Sequence, residues 1–207
     1  MFVRIILLSA FSGLSFLARL SATESKPLNI LVLYADDLRF DTLGAAGHKI
    51  VQTPNLDRLA AEGVRFTDFH VSPTCSPTRS ALLTGRHEFK NGITHTILER
   101  ERMTLAATTL PQVLQSAGYT TGIFGKWHLA SKPDYTDWRI SFGHGSYENP
   151  ELESATGKEK ISGYTTDVIT DLSLDWLQKR DPSKPFFLAV QHKAPHRNWI
   201  PAPRYAT

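Results

Sequence analysis

Residues 28–35 (LNILVLYA) form an apolar stretch with β-branched members that runs straight into Asp36 and Asp37. A strand with one wet face alternates apolar and polar residues. A run this continuous therefore predicts a strand covered on both faces, as in a parallel sheet sandwiched between helices. Residues 185–191 (PFFLAVQ) repeat the pattern near the other end of the chain. Between these two runs, helix signals alternate with shorter strand signals. Thr53-Pro54 supplies an N-cap and a first-turn proline, Leu56, Leu59 and Ala60 share a face, and Gly63 supplies a stop. Thr109-Leu110-Pro111-Gln112 has capping-box spacing and opens a helix through Val113, Leu114 and Ala117 that Gly118 ends. Thr165 or Thr166 caps a third helix whose Val168, Ile169, Leu172 and Trp176 lie on one stripe. Residues 64–69 and 119–124 read as further strands. Residues 130–163 are polar, contain glycine and lack a period, which reads as a long functional loop.

Strands alternating with helices predict an α/β sandwich with a largely parallel central sheet flanked by helices. Ligands of such sheets bind beyond the carboxyl ends of the strands. Asp36 and Asp37, Lys126 and His128, and His192 and His196 all fall at such ends. Adjacent carboxylates there repel each other, and a divalent cation holds both ionised. Taken alone, the pair reads more readily as a solvated turn than as a metal site. Oxygen donors, with no Cys/His cluster of zinc-ligand spacing, point to calcium or magnesium and away from zinc.

The N-terminus has the layout of a signal peptide over residues 1–22, leaving residues 23–207 as one unit. Arg4 supplies a positive start, residues 5–17 an apolar run, and Leu20-Ser21-Ala22 a cleavage site. The apolar run is too short to span a bilayer, so no stable membrane span is expected. Removing these residues takes Arg4 and Arg19 but no acid, and the formal charge falls from +3 to +1. Nothing then resembles the basic footprint that nucleic-acid binding requires. The chain has no Asn-x-Ser/Thr sequon, which favours a secreted or periplasmic bacterial protein over a glycosylated lysosomal one.

Cys75 is the only cysteine, so an exported chain cannot use it for an internal disulfide. It sits in a polar turn between Thr74 and Ser76, a poor place for a thiol acting as a small hydrophobe. The run Cys75-Ser76-Pro77-Thr78-Arg79, continued by Leu83-Thr84-Gly85-Arg86, resembles the signature of the formylglycine-dependent, type I sulfatases of the alkaline-phosphatase-like superfamily. Residues 118–128 resemble a second signature of that family, and His192-Lys193-Ala194-Pro195-His196 its later histidine motif. The resemblance runs from Leu28 to about Tyr205.

The resemblance implies a sulfuric ester hydrolase acting on a sulfated small molecule or carbohydrate. Cys75 would be oxidised to formylglycine by a maturation enzyme and serve as nucleophile and metal-side ligand, with Arg79 steadying it. One hydroxyl of the hydrated aldehyde attacks sulfur, and the other later expels sulfate, which splits one hard displacement into two easier steps. Asp36 and Asp37 would bind calcium. Lys126 would act as a point charge on the sulfate, and His128 and His196 would complete its surroundings, His196 protonating the leaving oxygen. His192 reads as structural, while His48, His70, His87, His95 and His144 match no motif and read as surface or satisfied histidines. A phosphoester hydrolase on the same scaffold, or a catalytically silent binding module, are the alternatives. Family members continue beyond the point corresponding to Thr207, with further metal ligands and a sulfate-binding lysine. The expectation is therefore an N-terminal portion, truncated at the C-terminus, with an incomplete calcium site and no turnover by itself.

Overall fold

The computed structural model describes residues 26–96 and 107–206. The signal-peptide reading of residues 1–22 lies outside them. The strands are β1 (Ile30–Tyr34), β2 (Thr120–Lys126), β3 (Asp137–Ser141), β4 (Glu151–Ser154), β5 (Gly157–Lys160) and β6 (Phe186–Gln191). The helices are α1 (Pro54–Glu62), α2 (Cys75–Thr84), α3 (Glu88–Asn91), α4 (Leu110–Ser116) and α5 (Thr165–Lys179). They build one six-stranded sheet of order β1-β6-β2-β3-β4-β5, parallel through its first four strands and closed by the antiparallel β4–β5 hairpin. This is the α/β sandwich with a largely parallel sheet that the alternating pattern predicts.

The apolar run of β6 explains its central place. Phe187 and Ala189 point into one core with Ile123, Trp127, Ile140 and Leu83, while Leu188 and Val190 point into a second with Phe124, Ile169 and Trp176 of α5. A side-chain period of two puts alternate residues on opposite faces, so a strand covered twice must be apolar throughout. The equally apolar β1 differs. Ile30 and Val32 pack on the first core, but Leu31 and Leu33 remain exposed, because β1 is the outer strand and α5 lies over β2 and β6. Coverage on both faces thus holds for β6 and not for β1 among the described residues.

Three further expectations are corrected. Residues 64–69 do not form a strand: Val64, Phe66 and Phe69 are exposed in irregular chain and pair with no strand among the described residues. A β-prone sequence without a ladder partner has nowhere to place its backbone hydrogen bonds. Residues 130–163 are not one long loop but contain β3, β4 and β5. The hairpin is polar because β5 is fully exposed, so the alternation that marks a half-buried strand is missing. At α5 the N-cap is Tyr164, and Thr165 instead donates its hydroxyl to the Ser146 carbonyl at 2.8 Å.

Candidate active site

The first four strands point their carboxyl ends to one side, and the loops that leave them carry the charged residues. Asp36 lies two residues beyond β1, and its N–H donates to the Ala194 carbonyl at 3.1 Å, which ties the loop after β1 to the loop after β6. Lys126 is the last residue of β2 and is fully buried, with buried His128 two residues on. The close approach of β2 to β6 needs Gly125. Its φ is 110°, and a Cβ there would lie 2.0 Å from the Gln191 carbonyl oxygen. Cys75 is the first residue of α2, so the helix N-terminus faces the same loops, and Gly85 closes the helix in the left-handed conformation.

Arg79, one turn into α2, gathers these ends. It is 1% exposed, and its Nη1 donates to the Lys126 carbonyl at 2.6 Å and to Gln191 Oε1 at 2.5 Å. Its Nη2 reaches Asp36 Oδ1 at 3.3 Å, and the guanidinium lies 4.6 Å from the centre of the Tyr34 ring. One side chain therefore links β1, β2 and β6. Asp36 accepts from Lys126 through its other oxygen. Burial pushes the Asp36 carboxyl up, but the Lys126 hydrogen bond and the Arg79 charge outweigh it, and the net shift is downward. The carboxylate stays ionised.

Lys126 Nζ lies 3.9 Å from Cys75 Sγ. Burial nevertheless raises the Cys75 pKa, with Lys126 opposing, so the unmodified thiol is not activated for attack. Asp37, its backbone at φ 62°, presents an exposed carboxylate 3.5 Å from His196 Nε2. His196 Nδ1 is 2.6 Å from the Arg197 carbonyl, which can only accept, so Nδ1 carries a hydrogen. Burial, then the Lys126 charge, depresses His128 to about 3 and leaves it neutral.

The structure brings every predicted site residue to one place: Asp36, Asp37, Cys75, Arg79, Lys126, His128 and His196. Ligand atoms of Asp36, Cys75 and His196 lie within 4.8 Å of one another. With an oxygen of hydrated formylglycine in place of the thiol, Asp36 and residue 75 present hard donors that suit a divalent cation, while Asp37 stands outside this set, beside His196. His192 takes no part, and it pairs through its backbone N–H with Tyr34. Three contributors were not expected. His144 stands between the rings of His128 and His196 at 4.6 and 4.7 Å, Gln191 accepts from Arg79, and buried Lys193 donates to the His144 carbonyl at 3.1 Å. Burial and the neighbouring Lys126 hold the His144 imidazole below its usual range. His144 follows β3, so the strand-end rule would have found it had β3 been legible.

Residues 28–207 match the family described as Sulfatase. The chain belongs to the sulfatase family. Sulfatases are generally formylglycine-dependent and metal-binding, and the chain shares their alkaline-phosphatase-like fold. Among relatives of this sulfatase chain, N-acetylglucosamine-6-O-sulfatase of Bacteroides thetaiotaomicron is 40% identical over 188 residues, covering 88% of this chain and 33% of that protein. Arylsulfatase A of Bos taurus is 49% identical over 114 residues, covering 53% and 22%. A solved complex with the substrate D-glucosamine-2-N,6-O-disulfate superposes with a TM-score of 0.81 at 38% identity, covering 86% of this chain and 37% of that one. Ps i-CgsB in complex with k-i-k-neocarrahexaose gives 0.78 at 28%, covering 84% and 46%. The chain spans about a third of the length of the B. thetaiotaomicron relative. No helix of the described residues is long and apolar enough to cross a membrane.

Proposed function

We propose that this chain carries the nucleophile side of a sulfate monoester hydrolase acting on a sulfated carbohydrate, with Cys75 matured to formylglycine by a separate enzyme. The observation that carries the reading is the convergence at the N-terminus of α2. Cys75, the Lys126 ammonium, Asp36 and His196 meet there, joined by Arg79 from behind. The sugar preference rests on the glucosamine-6-sulfatase relative and on the sulfated glucosamine in the similar structure. In this reading residues 1–22 export the chain to the periplasm or the medium.

Asp36, Asp37 and the residue-75 oxygen would hold the divalent ion, calcium, which when bound offsets charge on the sulfate and polarises residue 75. The remaining work falls to the chain's own groups. Lys126, buried and facing residue 75, meets the negative sulfate oxygens without reorganising. Neutral His128 can orient the anion or the nucleophile by hydrogen bonding but is not its proton source. His196, with Nδ1–H committed to the Arg197 carbonyl and the Asp37 carboxylate 3.5 Å from its Nε2, delivers a proton from Nε2 to the leaving oxygen. Arg79 does not reach the substrate and positions Asp36 and Lys126.

The test is turnover by protein co-produced with a maturation enzyme and supplied with calcium. Sulfate release from 6-O-sulfated glucosamine and an aryl sulfate is compared with phosphate release from an aryl phosphate, each beside Cys75→Ala. Two carboxylates and residue 75 fall short of the roughly six to eight oxygens that calcium takes. The 207 residues alone are therefore expected to match their Cys75→Ala control, and a chain extended to the length of its relatives discriminates. Sulfate release that vanishes in Cys75→Ala supports the reading. Phosphate release at an equal rate, or sulfate release that survives the substitution, overturns it.

A further inference from the structure

A lysine ammonium carries three hydrogens and no acceptor, on a stem whose last bond rotates freely. Lys126 is fully buried, so water does not serve those hydrogens, and the structure surrounds them with three groups. Asp36 Oδ2 takes a short ion pair, His144 Nδ1 lies at 3.4 Å, and Cys75 Sγ lies at 3.9 Å. Two of these are good acceptors and one is poor. The poor one marks the direction from which a bound anion would approach.

His144 is itself held from three sides. Its ring is wedged between those of His128 and His196, tilted by 60° and 41°, and its carbonyl accepts from Lys193 Nζ at 3.1 Å. We propose that His144 is a positioning residue that accepts one Lys126 hydrogen at Nδ1, so that, with Asp36 taking the second, the third points at residue 75 and at the anion bound there. Nδ1 as acceptor places the ring proton of the neutral imidazole on Nε2. The inference rests on reading this pocket as an anion site.

Binding of inorganic sulfate, measured by titration calorimetry, and the His144 tautomer, measured by long-range nitrogen-15 NMR of the imidazoles, test it together. His144→Phe keeps an aromatic ring between the two histidines but removes the acceptor. His144→Asn removes the ring but keeps an oxygen near the Nδ1 position. Losing one hydrogen bond that orients a charged partner should weaken sulfate binding about 3–10-fold in His144→Phe. His144→Asn should stay within about 2-fold of the wild type, and Lys126→Met should abolish binding. A His144→Phe chain that binds sulfate as the wild type does, or a His144 protonated at Nδ1, overturns the proposal. Wild-type protein that binds no sulfate but shows the Nε2–H tautomer overturns the anion-site reading and supports the placement of the Lys126 hydrogen. The tautomer measurement uses the unaltered chain and holds even if His144→Phe does not fold.

Discussion

Replacing Arg79 with methionine keeps most of its volume and removes every donor it offers. Three acceptors then lose a partner: Asp36 Oδ1, the Lys126 carbonyl and Gln191 Oε1. Removing one member of a buried charge pair typically costs ~3–5 kcal/mol, because the other charge stays buried. Asp36 keeps Lys126 as a partner, and the Gln191 side chain can turn, so the low end applies, about 3–4 kcal/mol. A domain of this size commonly has ~5–15 kcal/mol in all. With a urea dependence of roughly 1–3 kcal/mol per molar, the midpoint should fall by about 1–4 M. Tryptophan fluorescence reports it, since Trp127 and Trp176 lie in the two cores. Arg204→Met is the control. Its bidentate pair with Asp167 has shorter distances, 2.6 and 2.8 Å, but is exposed to solvent and should leave the midpoint unchanged. An Arg79→Met midpoint corresponding to less than ~1 kcal/mol would refute the role of Arg79 as the link between three strand ends.

Acid should destabilise the fold well above the usual carboxylate range. Unfolded His128 titrates near 6.5 and folded His128 near 3, so the unfolded chain takes up a proton that the folded chain refuses. Stability is then fully present above pH 6.5 and falls as pH drops toward 3, by at most ~1.4 kcal/mol per pH unit from this residue. His144 and His192, also depressed by burial, act in the same direction, and equal urea midpoints at neutral pH and near pH 5 would contradict this. Gly125→Ala should cost more than ~3 kcal/mol in thermal unfolding, because its Cβ would strike the Gln191 carbonyl, whereas Gly143→Ala, with φ 61° and open space around it, should cost about 1–2 kcal/mol. Calcium should bind the 207 residues only weakly, on the order of millimolar by calorimetry, and tight binding would mean that donors have been overlooked.

What was legible in the sequence depended on whether a residue's surroundings were local. The strand ends announced Asp36, Lys126 and His196 because each follows an apolar run, and Cys75 and Arg79 stand one helical turn apart in a recognisable signature. The run of β6 was readable as a doubly covered strand, but the same signal misread β1, since an outer strand and a central one differ only in their neighbours. The β4–β5 hairpin was invisible because exposed strands such as Gly157–Lys160 need no apolar face. That omission also hid His144, which enters the site only because β3 pairs with β2 and delivers the following loop beside Lys126. The linking role of Arg79 was equally hidden, for it depends on contacts with Gln191 and Lys126 far away in the chain.

The claim that Cys75 is the reactive centre of a sulfatase site is tested most directly on the residue itself. Protein made together with a formylglycine-generating enzyme is digested with trypsin, and the peptide that carries residue 75, residues 66–79 in the unaltered chain and 66–86 when Arg79 is replaced, is weighed by mass spectrometry. Conversion of the Cys75 thiol to the aldehyde, dependent on the maturation enzyme and absent when Arg79 is replaced by alanine, is the predicted result. A Cys75 that remains a thiol in every molecule, with the maturation enzyme active on a control substrate, would contradict the account.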